Sequence, residues 1–315
     1  MIENFFIYTV IYFLFFCRVV IMKLAAIDIG SNAIRFQIST VLNNQDEISF
    51  KKLEYIRFPL RLGHDVFTQQ RISPKSEAKF LKLMKAFSLL IDLYEVKDHR
   101  ICATSAMRES INGLEIIEKV KSETNLDIEI IDGEKEAEMI NDSLTLFIND
   151  EQNLHIDVGG GSTELNLYQN GLKIASHSFK IGSVRKLENK EEPESWLEMK
   201  NWVNNHINGK FQHIVAIGTG GNINKIFELA EKKSGYTLSL KKIEQIHDYL
   251  IGYSLNERIN VLRLNPDRAD VIIPASRIYI AVMKWAGAKK MKVPAVGLKD
   301  GIIKSLYEKH KDCLF

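Results

Sequence analysis

Cysteine is scarce in this chain: Cys17, Cys102 and Cys313 are the whole supply in 315 residues. Three is not the even count of a disulfide framework, and their spacing is not that of metal ligands, which argues against a structural zinc site and suits a reducing cytosol. Net charge is equally thin. The 42 Lys and Arg residues against 40 Asp and Glu leave +2, so the chain is no strongly basic nucleic-acid binder and any basic surface must be local. With 45% hydrophobic and 26% charged residues, it is neither disordered nor collagen-like.

The apolar run from Phe5 to Cys17 falls short of the ~20 residues a membrane helix needs. Glu3 stands where a signal peptide carries positive charge, and no small-residue cleavage site follows. A signal anchor interrupted only by Arg18, a cleaved signal, and translation from Met22 remain open. Because Met22-Lys23-Leu24 opens the first strand with no tether, the third is favoured. Residues 1–21 are therefore placed outside the fold, and a cytoplasmic protein is expected, with no membrane contact unless that segment is retained.

A chain of this length exceeds what one core usually serves, and a repeat divides it into 22–140 and 141–315. The first copy runs from strand Ala26-Ile27 into Asp28, then Ile29-Gly30-Ser31-Asn32-Ala33. A second strand follows with Ile34, Phe36 and Ile38 on one face and Arg35, Gln37 and Ser39 on the other. In the second copy His155-Ile156 leads to Asp157, then Val158-Gly159-Gly160-Gly161-Ser162-Thr163-Glu164, and an Asn170-Gly171 hairpin turn. Strands alternate with helices after each meander; Ser73-Pro74 caps the first long one. Each half is thus predicted to be an α/β unit with a mixed sheet, and two such units make a cleft.

Glycine and small hydroxyl residues after a strand let backbone N–H groups converge on phosphate oxygens. One such loop is commonly just a hairpin. Two copies, each led by Asp at the end of an apolar strand, point to phosphate with an accompanying cation, since magnesium takes oxygen ligands.

Six segments stand in order along nearly the whole chain from Met22: Asp28 to Asn32, Ala103 to Glu109, Ile131 to Ala137, Asp157 to Glu164, Gly218 to Gly221, and Pro266 to Asp270. Together they resemble the exopolyphosphatase and guanosine pentaphosphate phosphohydrolase family, in its short form without the further C-terminal helical region. The resemblance implies two ribonuclease H-like, actin-like ATPase domains with mixed five-stranded sheets and the active site in the interdomain cleft. It places the catalytic glutamate at Glu136, in the opening turn of a helix whose dipole is expected to keep it ionised. It implies Asp157 and Glu164 as magnesium ligands, directly or through water, with Asp28 facing them. Arg108 is expected to grip the phosphate chain with its planar fork. Gly30, Ser31, Asn32, Gly159, Gly160, Gly161, Ser162 and Thr163 are expected to form the phosphate cradle.

Attack by water on a terminal phosphorus then needs no covalent intermediate, and no Cys or His falls in the matched motifs. His155 is read as structural. Ala33, Asn222 and Lys299-Asp300 depart from the family's usual residues, which leaves the chemistry intact and the substrate open between inorganic polyphosphate, short chains included, and guanosine pentaphosphate. Scattered lysines give no sign of a basic channel. A homodimer is the default by resemblance only. A kinase or ATPase of the same superfamily, or a nucleotide-binding regulator without turnover, remain as rivals.

Overall fold

The structure, a computed structural model, describes residues 22–44, 47–149, 151–188, 193–207, 213–230 and 237–313; the apolar segment 1–21 lies outside them. Among the described residues no helix is long and apolar enough to cross a membrane. The first sheet contains β1 (Lys23–Ile29), β2 (Ile34–Asn44), β3 (Glu47–Phe58), β4 (Asp98–Ala103) and β5 (Ile128–Ile130), in the order β3-β2-β1-β4-β5. Strands β1 to β3 form an antiparallel meander, while β4 and β5 continue parallel to β1.

The second sheet contains β6 (Gln152–Val158), β7 (Thr163–Gln169), β8 (Leu172–Phe179), β9 (Ile214–Thr219), β10 (Thr237–Ser239) and β11 (Lys290–Lys292), in the order β10-β11-β9-β6-β7-β8. β6 to β9 reproduce the arrangement of β1 to β4, and β11 takes the place of β5. β10 makes this sheet six-stranded rather than five-stranded. Only Leu238 of β10 is buried, and three residues are too few to display a period of two.

Position in the sheet explains each strand's composition. Central β1 is covered on both faces and buries Leu24 through Ile29, so it reads as a continuous apolar run. Edge strand β3 alternates exposed and half-buried residues. Helix Pro74–Leu93 begins as expected, with the Ser73 side chain accepting from the Ser76 backbone N–H. It presses Phe87 onto Phe36, ring centroids 4.6 Å apart.

The last helix, Leu298–His310, does not follow chain order. It returns to the first sheet, packing on β1, β2 and β4 and on helix Gly133–Leu144. Ile302, Ile303 and Leu306 share one buried cluster with Leu24, Ala26, Ile140 and Leu144. The two helices touch at Gly301, where a Cβ would overlap the Met139 carbonyl oxygen. Helix Gly133–Leu144 carries Glu136, so this contact sets the height of that carboxylate. Gly301→Val is predicted to destabilise the fold by about 1–3 kcal/mol through overpacking, measured as a lower urea midpoint; an unchanged midpoint would contradict the close approach.

Candidate active site

One transverse row of each sheet supplies the site. In the first sheet, register places Asp28 opposite Arg35 and Arg35 opposite Arg57. The Arg35 guanidinium donates to Asp28 at 2.8 Å. In the second sheet the equivalent row reads Thr219, Asp157, Glu164, Ser178. The residue seven places after the aspartate is thus a cation in one copy and a second carboxylate in the other. Like charges directly opposite on neighbouring strands are destabilising. Asp157 and Glu164 are nevertheless 9% and 2% exposed, with the Ser178 hydroxyl donating to Glu164 at 2.8 Å.

Glu136 joins this pair from the first unit. Its helix is capped by Asp132, which accepts from the Lys135 backbone N–H at 2.8 Å. Glu136 Oε2 is buried and has no hydrogen-bond partner among the described residues. Burial and the neighbouring charges of Glu164, Asp157 and Asp28 push the Glu136 carboxyl well above its ordinary range. Desolvation and three like charges thus oppose the helix dipole that was expected to favour its ionised form. Burial likewise raises Asp157 to about 6 and, with the Asp157 charge, Glu164 to about 7.

The glycine loops close alike. Gly30 N–H donates to the Ala33 carbonyl at 3.3 Å, and Gly159 N–H to the Ser162 carbonyl at 3.0 Å. They also meet across the cleft floor, where a Cβ on Gly160 would sit 2.9 Å from the Ser31 Cβ. Gly30, Ser31, Asn32, Gly159, Gly160 and Ser162 line the cleft beside Asp28, Asp157 and Glu136. Gly161 and Thr163 do not. Gly161 packs beneath Ser105 and Phe67, and the Thr163 hydroxyl donates to the Ile181 carbonyl at 2.6 Å. Glu164 also lies behind the lining, as does Arg108, whose guanidinium donates to the Ile131 carbonyl at 2.6 Å. The Arg108 charge partly offsets the rise at Glu136 and Glu164, which puts it near the acidic group.

Several cations were not singled out from the sequence. Arg35, Arg57, Arg268 and Lys299 line the cleft with Tyr55, forming a local basic face despite the balanced composition. Arg57 pairs with Asp267 and Lys299 with Asp300. Burial, then the charges of Arg57 and Arg35, push Arg268 down to about 10, so these guanidiniums are crowded together. Alternation already put Arg35 on the polar face of β2; the register with β3 was the missing signal for Arg57. Arg185 serves differently. It donates to the Gly161 carbonyl at 2.9 Å and to both oxygens of Glu109 at 2.7 and 2.8 Å, tying the second loop to the first unit.

Two mixed-sheet α/β units with matching Asp-led loops across a cleft define the actin-like architecture. The chain belongs to the Ppx/GppA phosphatase family, whose model matches residues 41–310. It is 32% identical over 288 residues to a bifunctional 3-dehydroquinate synthase/phosphatase of Fusobacterium nucleatum, covering 84% of this chain and 43% of that protein. With a guanosine-5'-triphosphate,3'-diphosphate pyrophosphatase of Aeromonas hydrophila it shares 23% identity over 319 residues, 92% of this chain and 60% of that one. The chain spans about half the length of these curated relatives. Among solved structures, an exopolyphosphatase from Cytophaga hutchinsonii superposes with a TM-score of 0.78 at 23% identity, covering 91% of this chain and 98% of that one. The Aquifex aeolicus Ppx/GppA family member gives 0.72 at 24%, covering 92% and 99%.

Among the described residues no three His, Cys, Asp or Glu side chains converge as a ready-made metal cage. Magnesium needs none, because it keeps several waters and takes one or two carboxylates plus phosphate oxygens. The like-charge pair and the partnerless Glu136 oxygen fit such a cation.

The raised carboxyls make a stability prediction. Glu164 reaches about 7 in the fold against 4.5 for the free side chain, so its charge destabilises the fold above pH 7, and that penalty fades as pH falls to 4.5. In EDTA, Glu164→Gln is predicted to be more stable than wild type near pH 8 by about 1–3 kcal/mol, the advantage disappearing near about pH 4. Urea unfolding at both pH values measures this; a difference independent of pH would contradict it.

Proposed function

We propose that the chain hydrolyses a terminal phosphoanhydride, releasing orthophosphate from inorganic polyphosphate. The observation that carries this reading is the division of one cleft into an acidic group at Asp28, Glu136 and Asp157 and a basic face at Arg35, Arg57, Arg268 and Lys299, with the glycine loops between. Family membership and the names of the relatives support it.

In this reading the phosphate chain lies along the arginines, which neutralise its charge and fix its register. Its terminal phosphoryl group rests on the loops from Gly30 to Asn32 and from Gly159 to Ser162, whose backbone N–H groups and hydroxyls take its oxygens. Glu136 holds a water for in-line attack and accepts its proton. A carboxylate whose pKa is pushed up is a stronger base than an ordinary one. Asp157 and Glu164 would hold magnesium, directly or through water; Asp28 contributes charge while bound to Arg35. The ion, when bound, neutralises charge on the group being transferred. Arg185 keeps the second loop seated and so preserves the alignment.

Phosphate release from short polyphosphate, long polyphosphate and guanosine pentaphosphate, with magnesium, tests the proposal. At least one is expected to turn over, and Glu136→Gln to lower kcat about 10²–10⁴-fold while leaving the fold intact. Folded wild-type protein that releases phosphate from none of the three would overturn it. Arg268→Ala is expected to raise KM more than it lowers kcat, because the guanidinium binds chain rather than the reacting group; an unchanged KM would remove the basic face from the substrate path.

A further inference from the structure

Behind the active-site row of the second sheet lies a second polar row that no part of the proposed chemistry uses. His155, Asn166 and Ser176 occupy directly paired positions on β6, β7 and β8. His155 precedes Asp157 by two residues and shares its face of β6. His155, Asn166 and Thr219 are all fully buried. Burying an imidazole and an amide here is unfavourable unless each polar atom is satisfied.

Every hydrogen bond in this row has a fixed direction. The Asn166 amide nitrogen can only donate, so at 3.0 Å His155 Nδ1 accepts from it. The ring proton is then on Nε2, which donates to Thr219 Oγ1 at 2.8 Å. Thr219 stands directly opposite Asp157 in the register of β9 and β6, and with its oxygen occupied by the ring its hydroxyl proton is turned toward that carboxyl, where it counters the rise caused by burial. Asn166 Oδ1 in turn accepts from the Ser176 hydroxyl at 2.7 Å. The chain runs Ser176, Asn166, His155, Thr219, Asp157, each group both oriented by the last and orienting the next. A ring that accepts at Nδ1 and donates at Nε2 is neutral.

We propose that His155 is a positioning residue for Asp157, acting through the Thr219 hydroxyl. It rests on the reading of Asp157 as part of the hydrolytic centre. Without the ring behind it, Thr219 is free to rotate its proton elsewhere, and the carboxylate loses the bond that fixes its plane. Outer partners of this kind typically change affinity or activity about 10–100-fold when removed.

The test compares Thr219→Val, which removes the hydroxyl at constant shape, with Thr219→Ser, which restores it, and with His155→Leu. We expect Thr219→Val and His155→Leu each to lower kcat about tenfold or more at nearly unchanged KM, and Thr219→Ser to recover most of the loss. The double variant is expected to lose no more than either single one, because the two groups act in series. A role in packing alone predicts lower melting temperatures with unchanged kcat of the folded protein, and that result would overturn the proposal. Two readouts need no turnover. In metal-free wild type, 15N spectra of the ring, assigned through His155→Leu, should show the Nε2–H form from about pH 5 to 8; an Nδ1–H ring overturns the proposal. Mn2+ titration should show affinity about tenfold weaker in Thr219→Val, and equal affinity overturns it. If wild type releases no phosphate, the phosphatase reading fails while these two measurements still decide the role of His155.

Discussion

Two carboxylates face one another on neighbouring strands, buried, with no ion pair to either among the described residues. Asp157 and Glu164 cannot both be charged without cost unless positive charge arrives from outside. The rest of the site can be understood from that constraint. Glu136 crowds in from the other unit and is pushed toward its protonated form, Ser178 and Thr219 supply what hydrogen bonding they can, and Arg108 lends charge from behind. Natural proteins keep such unfavourable groupings where a ligand resolves them.

The duplicated architecture makes the point by contrast. In the first sheet the same strand–loop–strand element carries Arg35 opposite Asp28 and is electrically satisfied. In the second it carries Glu164 and is not. One scaffold thus presents a basic row and an acidic row to a common cleft, with the two glycine loops in contact at its floor. The arginines extend from the satisfied copy, through Arg57 on β3, and meet Arg268 and Lys299 from the far side. Helix Leu298–His310 bridges the units and fixes the helix that carries Glu136, so the position of the proposed base depends on the last part of the chain.

Much of this was legible in the sequence, and the exceptions have physical reasons. The apolar strands ending in Asp28 and Asp157, the glycine turns and the alternation of β2 are local patterns, and they located both sheets and most of the loop residues that line the cleft. Strand β10 escaped because it is too short to alternate. Thr163 read as part of the cradle because position alone cannot show that its hydroxyl is spent on Ile181. The anchoring of Arg108 on the Ile131 carbonyl, which leaves its other N–H groups available, was likewise invisible before the fold brought the two segments together. The basic face was invisible in a near-neutral composition, since Arg35, Arg57, Arg268 and Lys299 converge only through strand register and the returning chain. Glu136 was placed correctly on its helix, but the upward push on its carboxyl was not legible, because three other carboxyl groups reach it from distant parts of the sequence.

Hydrolysis of polyphosphate in 18O-enriched water tests the central claim most directly, since direct attack on the terminal phosphorus leaves a distinct isotopic record. Direct attack puts one solvent oxygen in each released orthophosphate and none in the shortened chain. Label in the chain, or orthophosphate released without it, would contradict attack by a water held at Glu136.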